Sequence, residues 1–137
     1  VRNDPRFTKD LIMANSVTTQ TSPYVDKLIV DTQSNATAEL NVLGGGATCY
    51  IFDADNSDNN AVSALKVFNI ASVTIDGSNS STEPDIMFSI PALTRQTVTI
   101  SDGIYLGTSL TFACVTSTAT TGNTSPTNNV TVRIMAE

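Results

Sequence analysis

Along this chain apolar residues recur at every second position far more often than at every third or fourth. Val130, Val132 and Ile134 alternate with Thr131 and Arg133, and Leu110, Phe112 and Cys114 alternate with Thr111 and Ala113. A period of two is what a strand with one buried face requires, whereas an amphipathic helix needs apolar residues at i, i+3, i+4 and i+7. No stretch holds the helical pattern for three turns, and the abundant Thr, Val, Ser and Asn suit strands and turns. The pattern predicts strands over 25–31, 36–43, 48–52, 62–70, 86–90, 95–100, 110–116 and 130–136. Turn residues fall between them at Gly44-Gly45-Gly46, Asp53 to Asn60, Asp76 to Pro84, Ser101-Asp102-Gly103 and Ala119 to Asn128. Short strands with such punctuation predict an all-β fold, an antiparallel two-sheet β-sandwich of immunoglobulin-like or jelly-roll type.

The first 24 residues break this rhythm. They hold few apolar residues, and 14–22 is a Ser/Thr-rich run that ends at Pro23. The chain of 137 residues therefore divides into an extended N-terminal arm, 1–24, and one sandwich domain, 25–137. A polar arm gains main-chain hydrogen bonds by lying along a sheet edge, its own or another subunit's. Phe7, Leu11, Ile12 and Val17 are its candidate anchors, with Arg2 and Arg6 as candidate partner-binding cations.

Charge narrows the function. Seven basic residues against 13 acidic ones give a formal net charge of -6, and three of the basics, Arg2, Arg6 and Lys9, lie in the arm. Beyond the arm only Lys27, Lys66, Arg95 and Arg133 offset the acids. Nucleic-acid affinity comes largely from Lys and Arg replacing counterions on phosphates, so no nucleic acid and no anionic membrane is expected as a partner. No run approaches the roughly 20 apolar residues of a membrane span, and no signal peptide is evident at the start. Cys49 and Cys114 could form one disulfide, but the alternation around Cys114 puts it beside Leu110 and Phe112, where a free thiol behaves as a small core hydrophobe.

Candidate chemistry is sparse. The absence of His removes the commonest general base, every His-containing triad and His-ligated zinc. Facing carboxylates such as Asp85 and Asp102 would be needed for glycoside hydrolysis, but most acids sit in turns rich in Asn, Ser and Gly. No enzyme and no cofactor is expected. Asp53-Ala54-Asp55-Asn56-Ser57-Asp58-Asn59 places oxygen side chains at alternate positions, so Asp53, Asp55 and Asp58 are the weak calcium candidates. Its sixth position is Asp58 rather than Gly and no Glu stands at the twelfth, so a solvated hairpin tip is the plainer reading. Gly44-Gly45-Gly46 lacks the Gly-Lys-Ser/Thr ending of a phosphate loop and reads as a turn or close backbone approach.

From Val62 onward the text is distinctive. Ala64-Leu65-Lys66-Val67-Phe68-Asn69-Ile70-Ala71-Ser72-Val73-Thr74 is followed by Pro84-Asp85-Ile86-Met87-Phe88-Ser89-Ile90-Pro91-Ala92 and Gly103-Ile104-Tyr105-Leu106. Leu110-Thr111-Phe112-Ala113-Cys114-Val115-Thr116, Gly122-Asn123-Thr124-Ser125-Pro126 and Val130-Thr131-Val132-Arg133-Ile134 complete it. This half of the chain resembles small β-sandwich virion proteins of tailed bacteriophages, marine and cyanobacterial phages among them. The resemblance implies a structural virion protein, a capsid decoration or cement subunit binding across neighbouring shell subunits. It implies the major capsid protein or other virion subunits as partners, sister copies besides, and a place on the outer capsid surface after synthesis in host bacterial cytoplasm. The other reading is a glycan- or receptor-binding sandwich module of a phage tail or secreted bacterial protein, calcium-dependent through the Asp53 to Asp58 loop.

Overall fold

A computed structural model describes residues 17–20, 26–75 and 82–137. Its strands are β1 (Val17–Gln20), β2 (Lys27–Ser34), β3 (Ala47–Asp55), β4 (Ser63–Phe68), β5 (Ile86–Ile90), β6 (Arg95–Leu106), β7 (Thr111–Val115) and β8 (Val130–Ala136). They form a five-stranded sheet in the order β1-β2-β8-β3-β6 and a three-stranded sheet in the order β5-β4-β7, and every pairing is antiparallel.

The pairings are nested. β2 pairs with β8, β3 with β6 and β4 with β5. Between the first two of these, the segment around Glu39 bridges Phe112 of β7, with further main-chain bonds from Val42 to Leu110 and from Cys114 to Asn35. The chain thus reads as one long hairpin of four antiparallel pairs, rolled so that β8 lies on β3 and β7 on β4. That connectivity is a jelly roll, and it decides between the two sandwich types that the pattern allowed. β1 adds to the outside of β2, with Val17 opposite Asp31.

The core lies between the sheets, where Ile29, Cys49, Phe52, Val130, Val132 and Ile134 of the larger sheet meet Leu65, Val67, Ile90, Phe112 and Cys114 of the smaller. Each large apolar side chain so enclosed contributes about 1.5–3 kcal/mol. In the smaller sheet β4 and β7 are buried on both faces, contrary to the half-buried strands expected from alternation, while β5 is only partly covered. Every residue of β4 and β7 is buried, because Ala36, Ile75 and their neighbours cover Ala64, Phe68, Ala113 and Val115 on the outer side.

Three expected boundaries are corrected. The strand expected over 36–43 reduces to one bridge, since side chains take its backbone: Asn35 Oδ1 accepts from Thr37 N, Thr111 Oγ1 accepts from Asn41 N, and Asn41 has φ 46°. The turn expected at Ser101-Asp102-Gly103 lies within β6 as a bulge. Thr99 and Ile104 pair with Ile51 and Cys49, so four residues of β6 oppose Tyr50 alone. Gly103 has φ 72°, and a Cβ there would collide with Thr48 Cγ2. The turn expected from Asp53 starts later, because β3 continues to Asp55.

Candidate partner-binding cleft

β5 ends the smaller sheet and β6 ends the larger one, on the same side of the sandwich. The turn 91–94 joins them at one end, so the two edges flank an opening into the core. Phe52, Ala54 and Leu65 floor this cleft, while Met87, Phe88, Ser89 and Ile90 of β5 and Gln96 and Val98 of β6 wall it. Its volume is about 200 Å³. Phe52 and Phe88 meet inside with ring centroids 5.0 Å apart and planes tilted by 37°. Such tilted contacts add roughly 0.5–1.5 kcal/mol to the area buried.

Among the described residues no strand pairs with the outer edges of β5 and β6. Natural sheets blunt such edges with charges, prolines or bulges. Ile86-Met87-Phe88-Ser89-Ile90 has none of these, although Pro84 and Pro91 flank it. β6 is bulged only beyond Thr99, and its Arg95 side chain turns to the outer face. The stretch 95–99 therefore offers a regular strand edge beside an apolar opening.

The end of the sandwich above the cleft is rigid. Buried Asn56 donates Nδ2 to the carbonyls of Ala61, Ile90 and Pro91 at 3.0, 3.2 and 3.1 Å. Its Oδ1 accepts from Asn59 Nδ2 and Ser63 Oγ. Asn59 in turn exchanges bonds with the backbone of Asn128, at 2.8 Å each. Two amides thus bind three loops. One product is Leu93, whose N donates to Asn59 O: it is held at φ 58° with 62% of its surface exposed. A branched residue in the left-handed region is strained, and such strain persists only where surrounding bonds over-determine it.

The calcium candidates do not converge. Asp53 lies on the outer face of β3 and is nearly buried, with Arg95 Nε donating to it at 3.0 and 3.2 Å, Arg95 Nη2 at 2.9 Å and Thr97 Oγ1 at 2.7 Å. The guanidinium responds with a raised pKa, caused first by its hydrogen bond to Asp53. Arg133 Nη1 stands 3.7 Å from the same carboxylate. Asp55 accepts from Ser57 N in an Asx turn, and hydrogen bonding from the Ser57 side chain first and its backbone second holds its pKa below the ordinary value. Asp58 is exposed at the tip, its carbonyl accepting from Asn128 Nδ2. No group of three or more His, Cys, Asp or Glu that could hold a metal occurs among the described residues.

Val17, an expected anchor for a partner, packs against the sandwich's own core. Arg2, Arg6, Phe7, Leu11 and Ile12 lie outside the described residues. Both cysteines are free and buried, and burial pushes the Cys49 thiol up to about 11 and the Cys114 thiol up to about 12. Neither can supply a thiolate near neutral pH. Tyr50 donates to Glu137, whereas Tyr105 is 75% exposed. Lys66, buried in β4, donates Nζ to the carbonyls of Thr120 and Gly122 at 2.9 and 2.8 Å, and burial lowers its pKa. It ties the 117–126 loop over the smaller sheet.

Sequence reasoning missed the cleft. Its readable signal was the uncharged β5 run between two prolines; Leu93 carried none. Comparison with protein-family models, with curated proteins and with solved structures returns no match.

Proposed function

We propose that this protein is a structural subunit that binds other protein chains within an assembly, taking an extended segment of a partner along the β6 edge with a side chain in the cleft. The single observation that carries the reading is the apolar cleft flanked by uncharged β5 and by the regular 95–99 stretch of β6, whose one charge, Arg95, turns to the outer face. Strand addition at such an edge supplies main-chain hydrogen bonds, and a pocket for alternate side chains supplies selectivity. A rigid rim lowers the ordering cost of binding.

The specific role we propose is a capsid decoration or cement subunit of a tailed-phage virion, on the strength of the likeness in the 62–134 text. The jelly roll is consistent with it but also serves lectins, so fold alone does not choose. The acidic surface favours a protein partner over nucleic acid. Co-expression with the proteins encoded beside its gene, followed by gradient sedimentation, tests the role. The chain is expected to travel with assembled particles and a Val98→Asp variant to remain at the top. A chain that never joins particles in either form would overturn the reading.

A further inference from the structure

Resting on that reading of the β6 edge, we propose that the partner it takes is a second copy of this chain, joined antiparallel through 95–99 about a twofold axis at Thr97. The ladder shows which groups are free to do this. Asn56 N donates to Thr94 O, and bonded and open positions alternate along an antiparallel pair, so Gln96 and Val98 direct their main-chain groups to Ala54 and Phe52 of β3. The N–H and C=O groups of Arg95, Thr97 and Thr99 therefore point off the free edge. Side chains divide by the same alternation: Gln96 and Val98 line the cleft, while Arg95 and Thr97 reach Asp53 on the outer face.

This edge is its own complement. It is bounded by the 91–94 turn on one side and by the bulge beyond Thr99 on the other, which centres the regular stretch on Thr97. Turned about that centre, Arg95 meets the copy's Thr99, Thr97 meets Thr97 and Thr99 meets Arg95, so each outward group gains a counterpart. A slip by one residue sets outward groups against groups already bonded to β3, and a slip by two runs a pair into the bulge or the turn. On the inner layer Gln96 of one copy lies across from Val98 of the other, and both clefts open toward the axis, so the two apolar openings merge. No charge is trapped there, because the 86–90 run has none and Arg95 turns outward. At the rim opposite charges meet. From Thr99 to Ile104 β6 advances only from Ile51 to Cys49 along β3, about 7 Å, so exposed Asp102 stands within that distance beyond Thr99. Thr99 of one copy faces the half-exposed Arg95 of the other, which brings each Arg95 beside the other copy's Asp102. Area sets the strength: an edge about 17 Å long over two layers about 10 Å apart covers roughly half of the 800 Å² per partner of a standard interface, so the dimer is micromolar or weaker. Such a pairing leaves the free subunit dispersed and forms where an assembly holds copies close together.

Sedimentation equilibrium of the full chain from about 10 µM to about 1 mM should show a reversible monomer–dimer equilibrium. Dimer formation should slow hydrogen exchange at the Thr97 and Thr99 amides by about fivefold or more and change the Gln96 and Val98 amides far less. Thr97→Cys should be bridged to its twin by dibromobimane, since the twin Cα atoms stand about 5.5 Å apart, whereas Thr99→Cys, with twins about 14 Å apart, should not. The buried native thiols stay out of the reaction. Thr99→Pro removes one outward N–H, a change that a sheet edge tolerates, and should leave a folded monomer. Asp102→Lys, at an exposed position, should weaken the dimer about fivefold by turning an attraction into a repulsion. A monomer at every concentration overturns the proposal. A dimer that neither variant weakens, or that slows exchange evenly along 95–99, uses another surface and overturns it too. If the chain stays monomeric yet Val98→Asp still abolishes particle binding, the proposed function stands and only this inference falls; a dimer of this register in a chain that never joins particles gives the reverse.

Discussion

Asn59 Nδ2 donates to Asn56 Oδ1 at 2.9 Å, and through this bond the loops that cap the cleft are held as one piece. Asn56→Ala should be among the most destabilising polar substitutions in the chain. It would leave Asn59, Ser63 and three loop carbonyls short of partners in a buried site, a loss of about 3 kcal/mol. Denaturant unfolding measures it, and a loss under 1 kcal/mol would show that water replaces the amide.

The outer face of β3 yields a graded prediction. Asp53 is almost enclosed, but Arg95 keeps 53% of its side chain exposed. Arg95→Ala should cost no more than about 1 kcal/mol, as expected of an ion pair with one solvated partner. Asp53→Ala should cost more, about 2 kcal/mol, because Thr97 and the buried Arg133 Nη1 lose their nearby acceptor. Since these donors already occupy Asp53, millimolar calcium should leave the melting temperature of the unmodified chain unchanged. A rise of several degrees that Asp55→Ala abolishes would restore the calcium-dependent module.

The bulge of β6 can be tested at Gly103. Its φ of 72° suits glycine, and an added Cβ would collide with Thr48 Cγ2 and fall 2.9 Å from Tyr50 Cε1. Gly103→Ala should therefore destabilise by about 2 kcal/mol through backbone strain and overpacking together. Pairing it with Thr48→Ser, which removes the nearest methyl, should recover part of the loss. No recovery would place the cost in the backbone alone.

How much of this was legible in the sequence follows from what each residue answers to. β8 falls where the alternation puts it, because period-two patterning directly reports a buried face, and β5 falls on the short apolar run 86–90. The segment 36–43 misleads because its apolar residues pack without a ladder, Asn and Thr side chains taking the backbone bonds instead. Asp53 reads as a turn residue until Arg95 and Thr97, more than forty positions away, arrive beside it. Short β1 was hidden in a Ser/Thr-rich run, since its pairing depends on the free edge of β2. The cleft is a property of two edges meeting, and no local pattern encodes that.

Lys66 provides the last prediction, through pH. Burial lowers its folded pKa below the ordinary 10.5, while the unfolded chain keeps a value near 10.5. Between the two values the unfolded state binds the proton more, so stability gains from this group as pH rises across that window and the charged form's burial cost is relieved. The cost is fully present below the depressed folded value. A Lys66→Met variant lacks the term but shares every other titrating group, Cys49 and Cys114 included. The stability of the unmodified chain minus that of Lys66→Met should therefore rise as pH is raised from neutral toward 10.5, measured by denaturant unfolding at each pH. A flat difference would mean that the two loop carbonyls compensate the ammonium fully, and a falling one would contradict the burial-driven shift.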